Sequence, residues 1–218
     1  GAQRPISWGA YVGVVSLTKN MGGFGVDMGG AVVCPQRLDL TFRMFRKDFG
    51  GVLPPATAWN VMVYGLSTLG VRMARQVETA GKVARFLEAH KKVARVFYPG
   101  LDSFPWKEVA QRQLQDPEGH FCPGYMVYFE LAGEPGEAHT RCERLVDHIA
   151  SESYCITLAV SLGMTKTLIE APGVMTHCAL DPEAQFKAGI HPGGVRLSMG
   201  LENSEDILRD LAQALDIC

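Results

Sequence analysis

Apolar and polar positions change period several times along the chain. Val12 to Val15 is a short apolar run, Ser16-Leu17-Thr18-Lys19 a polar turn, Gly22 to Gly30 a glycine-rich loop, and Ala31 to Val33 a second apolar run. This predicts strand, turn, loop and strand, with one lysine presented at a strand end. From Pro35 to Phe49 charges alternate with Leu38, Leu40, Phe42, Met44 and Phe45, so helix and strand patterns compete, and Pro35 favours a helix start. Beyond Gly50-Gly51, the spacing of Trp59, Met62, Val63 and Leu66 predicts a helix over Ala56 to Leu69. Met73, Val77, Ala80, Ala84 and Leu87 recur at steps of four and three, which predicts a long helix from about Val71 to His90.

The remainder alternates short strands with helices. Strands are expected at Val93 to Tyr98, Tyr125 to Leu131, Ile156 to Leu158 and Val195 to Met199, and helices at Trp106 to Leu114, Glu137 to Ala150, Asp181 to Ala188 and Ser204 to Leu215. Asn203 or Ser204 can cap the last helix, with Glu205 and Asp206 at its positive end and Ile207, Leu208, Leu211 and Leu215 as its buried stripe. Such alternation is the pattern of an α/β fold, and no internal repeat or low-complexity linker interrupts it.

Composition narrows the class. The chain has 218 residues, 47% of them hydrophobic, which suffices for one large or two small domains. Its 21 basic and 23 acidic residues show no bias toward nucleic acid or anionic membrane, so neither partner is expected. Apolar runs stop well short of about 18 residues, no signal-like segment opens the chain, and Cys34, Cys122, Cys142, Cys155, Cys178 and Cys218 are scattered without metal-ligand spacing. These features predict a soluble cytoplasmic protein with free thiols and no metal.

Two places carry candidate chemistry. Lys19 directly follows Ser16-Leu17-Thr18, whose hydroxyls, two residues apart, can turn to one side and hold a phosphate. A strand-end lysine whose amine pKa is lowered suits Schiff-base chemistry with an aldehyde cofactor, although an ordinary solvated lysine fits the same four residues. Arg196 lies inside the apolar strand VRLSM beside Gly193-Gly194. A guanidinium there requires a permanent carboxylate partner, the commoner case, or a ligand carboxylate. His120, in the turn cluster Asp116 to His120, is expected to be an exposed loop histidine rather than an acid or base.

Longer stretches add a resemblance. Gln3-Arg4-Pro5, Trp8-Gly9-Ala10 and Val14 to Lys19 with Gly22-Gly23, then GGVLPPATAWNVMVYGLSTLGVRMARQ, YPGL, LAVSLG, Met175-Thr176-His177 and GGVRLSMGLENSEDILRDLAQAL occur in an order that resembles the Cys/Met-metabolism family of pyridoxal-phosphate (PLP) enzymes. That group includes methionine γ-lyase, cystathionine γ-lyase, cystathionine γ-synthase and the O-acetylhomoserine sulfhydrylases. Asn20 departs from the family's aromatic after the lysine, and Phe24 from its histidine after the glycines. Val160 before Ser161 looks like methionine γ-lyase, whereas GGFGVDMGG looks more like the sulfhydrylases.

The resemblance implies a fold-type-I PLP-dependent transferase, with residues 1–70 as the end of the large cofactor-binding domain and 71–218 as the interdomain helix and small C-terminal α/β domain. It makes Lys19 the catalytic lysine bonded to pyridoxal 5′-phosphate, and Ser16 and Thr18 the phosphate ligands. It assigns Arg196 to the substrate α-carboxylate, with Val160, Ser161 and Thr176 bordering the same pocket. The implied function is carbon–sulfur lysis of a sulfur-containing amino acid. Alternatives are γ-replacement on an O-acylated homoserine, or a noncatalytic assembly module. The family's ring-stacking aromatic, pyridine-nitrogen aspartate and glycine phosphate turn lie upstream of its lysine segment. An upstream half, on the same or a separate chain, and a homotetramer are therefore the implied partners.

Overall fold

The computed structural model describes residues 3–176 and 179–218. It opens with an antiparallel hairpin of β1 (Gly13–Ser16) and β2 (Gly30–Val33), paired from Gly13 opposite Val33 to Ser16 opposite Gly30. Helices α1 (Asp39–Phe49), α2 (Pro55–Asn60) and α3 (Ser67–Glu88) follow. Then come β3 (Val93–Phe97), α4 (Lys107–Gln113), β4 (Met126–Leu131), α5 (Pro135–Glu152), β5 (Thr157–Leu158), β6 (Leu168–Glu170), α6 (Pro172–Met175), α7 (Pro182–Lys187), β7 (Gly194–Ser198) and α8 (Ser204–Ile217). Among the described residues no helix is long and apolar enough to cross a membrane.

The second half forms a five-stranded sheet in the order β3-β4-β7-β6-β5, antiparallel except for the parallel β5–β6 pair. Strand β4 follows the period of two: Val127, Phe129 and Leu131 are buried and their neighbours less so. These side chains join Val195 and Leu197 of β7 in a core with Ala80, Val83, Ala84 and Leu87 of α3, Leu145 and Ile149 of α5, and Ile207, Leu211 and Leu215 of α8. Helix α8 is capped as expected, the Asn203 side chain accepting from Glu205 N at 3.1 Å.

Most predicted elements are present with ends shifted by one to four residues. Between Pro35 and Phe49 the helix prevails, entered through a single 3₁₀ turn at Gln36–Leu38. The two helices expected over 56–90 form one nearly continuous run, because a π-helical turn at Val61–Leu66 joins α2 to α3. Strand β6 was not predicted. Its three residues, Leu168, Ile169 and Glu170, are all buried, and a buried carboxylate breaks the apolar signal that would mark so short a strand.

The first 60 residues differ from the rest in burial. Among those described, only Gly23 is buried, while Trp8, Val14, Met28, Phe45, Phe49 and Trp59 are exposed. The expected apolar face of 56–69 is likewise open, with Trp59, Met62, Val63 and Leu66 exposed.

Lys92, just before β3, closes the other end of α8. Its ammonium donates to Leu215 O at 2.8 Å, Asp216 O at 2.9 Å and Cys218 O at 2.7 Å, meeting carbonyls that a helix C-terminus leaves unpaired. Lys92→Met, which keeps the aliphatic stem and removes these bonds, is expected to lower stability by about 1 kcal/mol and the Tm by roughly 3 °C, read by thermal unfolding.

Candidate active site

From Ser16 at the end of β1 the chain turns through a single π-helical turn, Leu17–Met21, in which Lys19 departs from helical geometry at φ −88°, ψ −138°. The glycine loop supports this turn: Gly29 O accepts from Leu17 N at 2.9 Å and from Thr18 N at 3.3 Å, and Gly29 N donates to Thr18 Oγ1 at 2.9 Å. Gly23, at φ +78°, leaves room for the Arg72 guanidinium, which any Cβ there would meet. The turn directs the Lys19 amine across the structure, where Nζ donates to Ser161 Oγ at 3.1 Å.

Ser161 belongs to the loop between β5 and β6, and Arg196 holds it from the other side. Arg196 Nη2 donates to Ser161 O at 2.9 Å and to Val160 O at 3.2 Å. Its Nη1 lies 2.7 Å from Glu170 Oε1, the two residues being direct cross-strand partners on β7 and β6. Glu170 is 1% exposed and the Arg196 side chain 22%. Burial lowers the Arg196 pKa, while the neighbouring carboxylate partly opposes the shift. Gly163, at φ +74°, anchors the far end of the loop by donating from its N–H to Ser198 Oγ at 2.9 Å.

Helix α3 ties the lysine turn to this loop with buried polar side chains. Arg72 donates from Nη1 to Asn20 O at 2.9 Å, from Nη2 to Gly65 O at 2.7 Å and from Nε to Thr68 Oγ1 at 3.0 Å, with its guanidinium over the Phe24 ring. Burial lowers its pKa as well. Gln76 accepts from Asn20 Nδ2 and donates to Met164 O, both at 2.9 Å. Thr165 N donates to Gly23 O at 2.8 Å.

The predicted residues thus fall into two groups. Lys19, Ser161, Val160 and Arg196 come together, joined through Ser161. Ser16 and Lys19 also line an open cleft of about 560 Å³ bounded by Pro99 and Tyr125. The Ser16 hydroxyl is exposed and has no hydrogen-bond partner among the described residues. Thr18 lines a hollow of about 310 Å³ beside Asn60 and Tyr64, its hydroxyl accepting from Gly29 N. Thr176 follows α6, its hydroxyl directed at Pro172 O at 3.4 Å. His177 lies outside the described residues, and His120 is exposed in its turn, where it pairs with Asp116.

Glu170, Arg72 and Gln76 were not recognised as parts of the site. The signal was available for Glu170, a carboxylate in an apolar run four residues after Lys166. Nothing in the sequence says that its partner is Arg196, because that follows from strand register.

A family model described as Cys/Met metabolism PLP-dependent enzyme matches residues 1–216. L-methionine gamma-lyase of Fusobacterium nucleatum subsp. polymorphum is 39% identical over 216 residues, covering 98% of this chain and 51% of that protein. Cystathionine beta-lyase of Lactococcus lactis subsp. cremoris is 37% identical, covering 98% and 52%. Among solved structures, a cystathionine gamma lyase from Micromonospora echinospora superposes with a TM-score of 0.87 at 35% identity, over 98% of this chain and 52% of that one. A cystathionine gamma synthase from Xanthomonas oryzae pv. oryzae gives 0.85 at 34%, with the same shares. The chain spans about half the length of the curated relatives it matches.

Removing the buried carboxylate leaves the Arg196 guanidinium short of its charged partner. Glu170→Ala is expected to cost about 2 kcal/mol, less than a fully buried pair because Arg196 is partly solvated. Chemical denaturation with an unchanged m-value checks this.

Proposed function

The chain belongs to the family of Cys/Met-metabolism PLP-dependent enzymes, and on that premise we propose that the enzyme it forms is a carbon–sulfur lyase acting on a sulfur-containing amino acid. The observation that carries the proposal is the convergence of Lys19 and Arg196 on Ser161: an amine and a guanidinium 177 positions apart in sequence stand on the two sides of one residue. A proton-moving group beside a carboxylate-binding fork is what the α-carbon of an amino acid needs.

The donor set suits pyridoxal 5′-phosphate, the cofactor of this family: an amine and an uncommitted hydroxyl, Ser16, on one cleft. When bound, the cofactor supplies an electron-withdrawing ring that stabilises negative charge at the substrate α-carbon. The remaining work falls to the chain. Lys19 Nζ would hold the cofactor and, as a free amine, would take the proton from the substrate α-carbon and, for a γ-leaving group, move the β-proton. The Ser16 and Thr18 hydroxyls would hold the phosphate. Arg196 would take the substrate α-carboxylate in a bidentate fork as its Nη2 exchanges the Val160 and Ser161 carbonyls for the ligand, with Val160, Ser161 and Thr176 bordering the pocket. Glu170 keeps the guanidinium plane fixed while the carboxylate arrives.

Residues 1–70 would complete a large cofactor-binding domain, and 71–218 supply the interdomain helix and small domain. The exposed Trp8, Val14, Phe45, Phe49 and Trp59 support a partner for this face, which we assign to an upstream half of the enzyme on the same or another chain, within a homotetramer. Cys34, Cys122, Cys142, Cys155 and Cys218 are free thiols, in keeping with a cytoplasmic enzyme. The likeness to a synthase favours a second reading, γ-replacement on an O-acylated homoserine, which would use the same residues.

Borohydride reduction of the full-length, cofactor-loaded protein followed by peptide mapping is expected to place the pyridoxyl group on Lys19; an adduct on another lysine would sink the assignment. Arg196→Lys keeps a charge but not the fork, so the KM for the amino-acid substrate should rise at least about tenfold in steady-state kinetics. An unchanged KM with a lowered Tm would mark Arg196 as structural only.

A further inference from the structure

The Lys19 amine and the Ser161 hydroxyl are 142 residues apart in sequence and meet at 3.1 Å. Each sits on an irregular segment, a π-helical turn in one case and a loop in the other, and neither segment has a regular backbone ladder to hold it at that distance. A backbone bond from Thr165 N to Gly23 O links the flanks of the two segments, and the connection next to Lys19 itself runs through one side chain. Gln76, fully buried on α3, uses both ends of its amide: Oε1 accepts from Asn20, the residue after Lys19, and Nε2 donates to the carbonyl of Met164, three residues after Ser161.

We propose that Asn20 and Gln76 are positioning residues: a buried amide bridge from the lysine turn through α3 to the Ser161 loop sets where the Lys19 amine stands. The polarity of the bridge is determined at one end. A backbone carbonyl can only accept, so Gln76 must turn its amino group to Met164 and its oxygen to Asn20, and Asn20 must then present its own amino group. Only a side chain with a donor at that reach completes the chain at position 20. The two segments also touch directly, since a Cβ on Gly163 would lie 2.6 Å from Asn20 N. Arg72, one turn before Gln76 on α3, donates to Asn20 O, so the bridge acts on a residue already restrained at its backbone. The catalytic meaning of this device rests on Lys19 being the reacting amine as proposed above; its geometry does not.

The test uses full-length protein freed of cofactor, in wild-type form and as Asn20→Leu, Gln76→Met and the double variant, all nearly volume-conserving. Competitive acetylation followed by peptide mapping reads the reactivity of Lys19 against that of the other lysines, with the Tm recorded alongside. Cutting the bridge should loosen the Ser161 contact and raise relative Lys19 reactivity about threefold or more, since small misplacements near reacting groups have large kinetic effects. Both residues serve one bridge, so the double variant should change no more than the larger single one. Unchanged Lys19 reactivity with a lowered Tm would overturn the proposal and leave Gln76 a satisfied core polar group. Effects that multiply in the double variant would overturn it too. Should Gln76→Met not fold, Asn20→Leu at its half-buried position decides alone, unchanged reactivity counting against the bridge. A pyridoxyl adduct found away from Lys19 in the loaded wild type would overturn the role given to Lys19 and not the bridge, whose readout needs no cofactor.

Discussion

A guanidinium inside an apolar sheet has to be satisfied, and meeting that need at Arg196 shapes the segments around it. Position 196 is the one less buried member of β7, whose neighbours Val195 and Leu197 are wholly enclosed. The carboxylate of Glu170 reaches it because β6 pairs with β7 in the register that sets the two residues opposite each other. The backbone carbonyls of Val160 and Ser161 supply the other acceptors, which draws the β5–β6 loop over the strand and places the Ser161 hydroxyl in reach of Lys19. An ion pair of this kind contributes little net stability, but losing one partner is costly, so it favours one arrangement over others.

The opposite wall of the site depends on a different device. The lysine turn contributes no side chain to the sheet core, and the buried polar residues of α3 hold it instead. Arg72 and Gln76 are buried at 3% and 0% exposure on a helix that also delivers Ala80, Val83, Ala84 and Leu87 to the core. One helix therefore carries two functions along its length, an apolar stripe toward the sheet and, in its first turns, hydrogen-bonding groups toward the turn at Leu17–Met21. Shifting α3 against the sheet would move Lys19 relative to Ser161, which couples the packing of the C-terminal core to the geometry of the amine.

Burial along the chain is uneven. The C-terminal sheet and its helices enclose their own core, whereas the hairpin, α1 and α2 leave aromatic side chains such as Phe45, Phe49 and Trp59 in solvent. The site lies where these two regions meet. Lys19 comes from the poorly covered part and Arg196 from the well-packed one, and Ser161 stands in contact with both.

Much of this was legible in the residues themselves. Period and punctuation located nearly every strand and helix, because a period of two or of 3.6 follows from local backbone geometry and needs no knowledge of neighbours. The short motifs around Lys19 and Arg196 marked two candidate positions, since a strand-end lysine after two hydroxyl residues and an arginine within a strand are locally unusual. What required the tertiary structure was every relation between distant segments. Strand register made Glu170 the partner of Arg196, and the packing of α3 against the turn at Leu17–Met21 brought Gln76 within hydrogen-bond reach of Asn20. Such relations arise from packing between elements whose separation along the chain bears no relation to their distance in space, and local pattern carries no record of them.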